Sequence, residues 1–227
     1  MNDSPPSQVG AVVLARTDST RFPRKVFTDF MGQPMLGYLL ERLTHCFPKQ
    51  QIVVATSDRT IDDDITRFCE EYQVPCFRGD LNNVCHRAIS AAKSQGWQWF
   101  ARVNGDSPLF DESLTRRAID VCLTKQLDLV TNLVPRSFPY GISSEIVRTS
   151  TLERMMPLAE ECELEHVTKV LYEHLDSIHW ENISLDEDVS SIRMTVDTPD
   201  DLRQLTERIT RCGVGSSAVT FRDLIPT

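Results

Sequence analysis

Between residues 10 and 131 the sequence alternates short, wholly apolar runs with longer stretches whose apolar residues recur every three or four positions. The runs include Ala11-Val12-Val13-Leu14-Ala15 and Ile52-Val53-Val54-Ala55, with further strand-like segments at 74–77, 99–103 and 127–131. A strand that is apolar at every position has both faces buried, which marks a parallel sheet covered by helices on each side. Helices are expected at 36–43, where Leu36, Leu39, Leu40 and Leu43 recur, and at 61–72, where Ile61, Ile65 and Phe68 share a face. Pro34 is placed to open the first of these. Two more are expected at 84–93 and 114–123. The fold class is therefore α/β, built on a mostly parallel sheet.

The rhythm breaks over 132–195, which contains Pro135, Pro139 and Gly141, helices expected at 151–158 and 165–175, and two short strands. A last amphipathic helix is expected at 198–209. There is no repeat and no clear linker. The expectation is a disordered Ser- and Pro-rich tail over 1–9 and a single domain over 10–227, with 132–195 as an inserted or appended arm. Phe138, Tyr140, Ile142 and Ile146 are too many apolar residues for a solvated loop. The arm is accordingly expected to form a homodimer interface.

Composition excludes several function classes. The 227 residues carry a formal charge of −9, which argues against a general nucleic-acid or anionic-membrane binder. No apolar run reaches the roughly 18–20 residues of a membrane span, and the N-terminus lacks a secretory pattern. Seven cysteines are spread along the chain with no Cys-x-x-Cys pair, as expected for reduced thiols in a cytoplasmic protein. His166, His174 and His179 have no zinc-ligand spacing.

In open parallel sheets ligands bind beyond the carboxyl ends of the strands. The loop after the first strand, 16–25, holds Arg16, Arg21, Arg24 and Lys25 together with three hydroxyls, Thr17, Ser19 and Thr20. Such a cluster in an acidic protein reads as a polyphosphate cradle, or else as a solvated loop with scattered cations. The usual glycine-rich mononucleotide and dinucleotide fingerprints are absent. After the 99–103 strand comes Asn104-Gly105-Asp106-Ser107-Pro108, in which Asp106 either caps a turn or binds a metal. Before the last helix, Thr198 and Asp201 suit a cap and Pro199 the first helical position, while Asp197 is left over. Asp106 and Asp197 at one sheet edge would suit Mg²⁺, which takes one or two carboxylates plus phosphate oxygens. Glu165-His166-Val167-Thr168 reads either as a plain helix start or as an acceptor contact.

Together the segments AVVLARTDSTRFPRKV, GQPMLGYLLERL, QIVVATSD, VNGDSPL, LEHVTKVLYEH and IRMTVDTPDDLRQL resemble the cytidylyltransferases that make CMP-sugars. The likeness covers roughly residues 10–209 and is greatest to the branch named for spore-coat polysaccharide biosynthesis protein F, related to the CMP-Kdo and CMP-sialic acid synthetases. It implies a nucleotide-diphosphosugar transferase fold, commonly dimeric. By resemblance Arg16, Ser19, Arg21 and Lys25 contact CTP phosphates, Arg87 and Asp106 complete the nucleotide site, and Asp106 and Asp197 hold Mg²⁺. Arg136, Glu165 and His166 are the candidates for acceptor contacts.

The chain departs from that pattern at several points. Asp18 and Arg24 stand where the family usually has Gly. Asn83-Val84-Cys85-His86-Arg87 stands for Asp-Val-Leu-x-Arg, and Tyr140-Gly141-Ile142-Ser143 for Asp-Gly-Leu-Asp. The last two changes remove acidic groups from the region expected to face the acceptor.

The expected reaction is attack by an oxygen of an acidic sugar, Kdo-like or a nonulosonate, on the α-phosphorus of CTP. Pyrophosphate leaves, with Lys25, Arg16 and Asp106 as the catalytic set. Two other readings use related features. A metal-dependent glycosyltransferase would normally show an Asp-x-Asp pair, and none follows the 99–103 strand. A non-catalytic nucleotide sensor would have no need of both carboxylates.

Overall fold

The computed structural model describes residues 5–215 and 218–225. Strand β1 (Val9–Leu14) leads through a small hairpin of β2 (Asp29–Phe30) and β3 (Gln33–Pro34) into α1 (Met35–Thr44). Then follow β4 (Ile52–Ser57), α2 (Asp63–Tyr72), β5 (Cys76–Gly79), α3 (Val84–Ser94), β6 (Trp99–Asn104) and α4 (Glu112–Lys125). The rest is β7 (Leu129–Thr131), β8 (Ile146–Arg148), α5 (Thr149–Met155), α6 (Lys169–Glu173), β9 (Trp180–Asn182) and α7 (Pro199–Cys212).

Seven strands form one sheet in the order β5-β4-β1-β6-β8-β7-β9. All neighbours are parallel except β8, which runs against both β6 and β7. Alternate residues of β1 feed opposite layers. Val9, Ala11 and Val13 pack with the apolar faces of α1, α2, α4 and α7. Val12 packs with Val53, Phe100 and Val147 under α3, α5 and α6. Met35, Leu36, Leu39 and Leu43 of α1 are fully buried. Each such side chain contributes roughly 1.5–3 kcal/mol, so this helix alone fixes one layer firmly to the sheet.

Three expectations need correction. Ile61 does not share the buried face of Ile65 and Phe68. It is 51% exposed, because 60–62 is a tight turn preceding α2 and only the regular helix carries the apolar stripe. The helix expected at 165–175 shrinks to α6, with residues 163–169 forming successive turns in which His166 N–H bonds the Glu163 carbonyl and Lys169 N–H the His166 carbonyl. The 132–195 segment, expected as an inserted or appended arm, is built into the sheet: it supplies β8 between β6 and β7 and β9 at the edge. Phe138, Ile142 and Ile146 are spent on the chain's own core, leaving only Tyr140 exposed among the four residues that argued for a dimer face.

The expected tail divides. Residues 1–4 lie outside the described residues. Residues 5–9 are part of the fold: Pro5 is buried, the Gln8 carbonyl accepts the N–H groups of Gln98 and Trp99 at 2.9 and 3.2 Å, and Val9 opens β1.

From β1 the chain steps outward to β4 and β5, then returns to lay β6 on the other side of β1. The order reverses between β1 and β6, so a crevice opens beyond their carboxyl ends. The loops that follow these two strands are 15–25 and 105–111.

Candidate active site

The loop after β1 is held by one buried carboxylate. Asp62 accepts the Thr17 N–H at 2.8 Å and the Thr17 hydroxyl at 2.7 Å, and it also accepts the Ser57 hydroxyl at the end of β4. Burial opposes its ionisation, but the hydrogen bonds from Ser57 and Thr17 outweigh that and hold its carboxyl below the usual range. Farther along, Arg24 N–H bonds the Thr17 carbonyl at 2.7 Å and Phe22 N–H the Ser19 hydroxyl at 3.4 Å, so the loop folds back on itself.

That curl sorts the loop's cations. Arg16, Ser19, Arg21 and Lys25 line a cavity of about 280 Å³, together with Arg87, Asp106, Glu165 and Asp197. Arg24 leaves the site: its backbone is left-handed at φ 58°, and its guanidinium pairs with Asp64 at 2.7 Å above the Phe27 ring. Arg16 reaches Glu165 at 3.4 Å and Asp18 at 3.7 Å, both of them half-exposed pairs. Asp18 also pairs with Arg59, so the carboxylate added beside the cradle is neutralised by arginine on both sides.

Lys25 is the centre of the site. Its buried ammonium donates to Asp106 Oδ2 at 2.7 Å, to Asp197 Oδ1 at 3.3 Å and to the Val196 carbonyl at 3.2 Å. Arg21 adds a contact to Asp197 Oδ1 at 3.2 Å, and Arg193 holds Asp197 Oδ2. The carboxylates meet because their loops are tied together. The Asp106 carbonyl accepts the Val196 N–H at 3.0 Å and the Thr195 hydroxyl at 3.1 Å. Gly105 serves this approach by lacking a side chain, not by unusual dihedrals: a Cβ there would stand 2.9 Å from the Leu14 carbonyl oxygen. Asp197 is not wholly separate from the helix cap, since its N–H bonds Asp201 Oδ2 at 3.0 Å beside the Thr198–Asp201 capping box. Its carboxylate, however, is turned to the site.

Arg87 lines the same cavity but is largely committed to shape. It is buried, and one end of its guanidinium bonds the Asp80 and Leu81 carbonyls, fixing the turn before α3. Its Nε has no hydrogen-bond partner among the described residues. Glu165 belongs to both this cavity and a second one of about 300 Å³, which is lined by Arg102, Asn104, His166, Thr168, Lys169 and Tyr172. Arg136 lies outside the lining of both.

Two groups escaped the sequence reading. Asp62 was hidden in an acidic triplet, Asp62-Asp63-Asp64, that resembles any helix start. Arg102 sits within β6, where one cation in the run Trp99-Phe100-Ala101-Arg102-Val103 was the available signal. Its guanidinium pairs with the fully buried Glu145, which also accepts the Thr168 and Tyr172 hydroxyls, each at 2.6 Å.

The donor set can be tested against a divalent cation. Asp106 and Asp197 offer hard carboxylate oxygens facing each other across one positive charge, in a cavity that Arg16, Arg21 and Arg87 also line. No group of three or more metal-ligating side chains exists among the described residues. Two carboxylates with the remaining positions left to phosphate and water is what Mg²⁺ accepts, so the residues fit.

The sequence pattern that defines the cytidylyltransferases matches residues 11–207. This chain belongs to the cytidylyltransferase family. A cytidylyltransferase of Leptospira borgpetersenii superposes with a TM-score of 0.89 at 30% identity, covering 96% of this chain and 92% of that one. The spore coat polysaccharide biosynthesis protein SpsF of Bacillus subtilis is 25% identical, over 89% of this chain and 86% of its own. A 3-deoxy-manno-octulosonate cytidylyltransferase of Paraburkholderia phytofirmans is 30% identical over 59% of this chain and 52% of its own. The mostly parallel seven-stranded sheet is the fold of this nucleotidyltransferase group. For a cytidylyltransferase, the left-handed Arg24 explains why glycine is comfortable there, since glycine reaches that region without steric cost.

Proposed function

We propose that this cytidylyltransferase moves CMP from CTP to an acidic sugar, Kdo-like or a nonulosonate, and releases pyrophosphate for cell-surface polysaccharide synthesis. The observation that carries the reading is the Lys25 ammonium held between Asp106 and Asp197 at the base of a cavity walled by Arg16, Arg21 and Arg87. A triphosphate is the small ligand that needs positive charge at several successive points.

Arg16 and Arg21, the two exposed guanidiniums, bind the β- and γ-phosphates and lower the energy of the departing pyrophosphate. Lys25 stays beside the α-phosphate and shares its charge. Asp106 and Asp197 would hold Mg²⁺, which when bound supplies Lewis-acid polarisation of the phosphate under attack. Ser19 adds a hydroxyl donor at the cavity wall. Glu165, between the two cavities, and His166, in the second, face the acceptor side. The reaction is one of positioning and charge neutralisation, with no covalent step on the protein.

A cytoplasmic setting, where CTP is made, accords with seven free cysteines. A homodimer belongs to the proposal through resemblance alone, and sedimentation decides it. The reaction is tested by pyrophosphate release from each of four nucleoside triphosphates with a panel of acidic and neutral sugars. CTP with an acidic sugar is the expected combination. Release from another nucleotide, or from none, overturns the reading.

A further inference from the structure

Of the four residues that argued for a dimer face, Tyr140 alone is exposed, and its ring has a use within the chain. Two guanidiniums rest near it: Arg136 lies 5.2 Å and Arg193 4.9 Å from the ring centre. The backbone holds Arg193 there from both flanks. Tyr140 N–H bonds the Ile192 carbonyl and Met194 N–H the Tyr140 carbonyl, each at 2.7 Å. An aromatic face attracts a guanidinium and leaves the N–H groups at its edge free to donate.

That edge is spent on two carboxylates. One nitrogen pairs with Asp197 Oδ2, and Nε reaches Asp201 Oδ1 at 3.3 Å. Asp201 is itself fixed, since its other oxygen accepts the N–H groups of Asp197 and Thr198 at 3.0 and 2.8 Å. Arg193 lines neither of the two cavities at the site, so it acts there through Asp197. The consequence falls on a rotamer. The terminal torsion of an aspartate is broad and roughly twofold, so either oxygen can turn to the site. At Asp197 the choice is made: Oδ2 is taken by Arg193, while Oδ1 faces Lys25 at 3.3 Å and Arg21 at 3.2 Å. Asp106 is held more loosely, for its second oxygen accepts a neutral donor, the Ser107 hydroxyl, at 3.4 Å.

We propose that Arg193, steadied on the Tyr140 ring, is the positioning residue that aims Asp197 Oδ1 into the active site and so tightens the divalent cation that the two carboxylates would hold. The inference rests on the cytidylyl-transfer reading with its shared Mg²⁺ and deepens it. Partners that hold a ligating carboxylate from outside contribute roughly 10–100-fold in metal affinity, because the ligand oxygen no longer has to be ordered when the ion arrives. The guanidinium charge works in the opposite sense by repelling the ion. That repulsion is the smaller effect, since the Arg193 side chain is 43% exposed and screened by solvent.

The test is Mn²⁺ binding in the presence of a non-hydrolysable CTP analogue, read from the electron paramagnetic resonance signal of free Mn²⁺. Arg193→Gln, Arg193→Lys, Asp197→Ala and the double variant of Arg193→Gln with Asp197→Ala are compared, with a urea midpoint for each. Arg193→Gln is expected to weaken Mn²⁺ binding at least about tenfold, and Arg193→Lys to recover part of the loss. Beside Asp197→Ala, where no carboxylate is left to aim, Arg193→Gln should add little. Tyr140→Ala should weaken binding about two- to fivefold, the scale of an exposed cation–π contact, and Tyr140→Phe should keep the wild-type affinity. A purely structural role would move the urea midpoints and leave Mn²⁺ affinity intact. Unchanged or tighter Mn²⁺ binding in Arg193→Gln, losses that multiply in the double variant, or equal affinities in Tyr140→Ala and Tyr140→Phe overturn the proposal. A wild type that binds no Mn²⁺ overturns the shared ion instead, and the same variants compared in kcat then judge Arg193. Non-additive losses in kcat uphold its action through Asp197, and losses that multiply overturn it.

Discussion

The Asp106 carbonyl oxygen accepts the Val196 N–H at 3.0 Å, which seats the residue after Val196, Asp197, opposite the Asp106 carboxylate. One backbone bond between loops remote in sequence therefore sets the spacing of the charged pair that Lys25 bridges.

On the proposal that Asp106 and Asp197 hold one Mg²⁺, the two carboxylates should fail together. Asp106→Asn and Asp197→Asn are each expected to lower turnover by about a hundredfold or more, the scale of losing a group that stabilises transition-state charge. The double variant should be little worse than either single one, since groups that act as a unit are not additive. Pyrophosphate release, with and without a Mg²⁺ chelator, measures both. Losses that multiply in the double variant, or full activity without divalent metal, would show that no ion is shared.

Lys25→Ala should reduce kcat/KM at least about tenfold, because a charge-assisted bond contributes on the order of 1.5–3 kcal/mol and one decade is 1.4. Arg24→Ala should leave kinetics near the wild-type value, since that guanidinium pairs with Asp64 away from the cavity. The same assay on both variants separates a shaped cradle from a loop that acts through its total charge.

Asp62 ties stability to pH. Its carboxyl titrates below the usual value in the folded state, so its stabilisation is complete above the unfolded value of about 3.9 and is lost as pH falls through the lower folded value. Asp62→Asn should lower unfolding free energy at pH 7 by about 1–3 kcal/mol and flatten the acid limb of stability against pH. Urea titrations across pH 3 to 7 (on the order of one transition per half unit) check the slope. An acid limb identical to wild type would remove Asp62 as its source.

Helix α4 ends on Gln126 in the left-handed region at φ 54°. An L-residue there costs roughly 1–2 kcal/mol that glycine avoids, against the loss of its side-chain bond to the Leu123 carbonyl at 2.9 Å. Gln126→Gly should raise stability by about 1 kcal/mol, read as a higher urea midpoint at unchanged slope.

The strands β1, β4 and β6 were legible because burial on both faces leaves a continuous apolar run. The cationic loop was legible because its composition is foreign to an acidic chain. Strand β8 was not legible: at three residues it is too short to show a period, and its place between β6 and β7 is a long-range choice that no local pattern encodes. The core positions of Phe138 and Ile142 were not legible for the same reason, since apolar residues in an irregular segment look alike whether they meet the chain's own core or a partner. Within the site, side-chain type pointed to Lys25, Asp106 and Asp197. It could not separate Arg24 from Arg21, because that division depends on one left-handed backbone position.

The antiparallel β8 also imposes an order on assembly. Strands β5, β4, β1 and β6 can pair as soon as residue 104 exists, but β7 never bonds β6 directly, since β8 lies between them. A nascent chain extended only through Thr131 holds the outer hydrogen-bonding edge of Trp99–Asn104 bare, a template for pairing with a neighbouring chain. Synthesis of Ile146–Arg148 covers the Trp99–Ala101 part of that edge from within. Three residues thus decide whether β6 is an edge or an interior strand, leaving β5 and β9 as the sheet's edges.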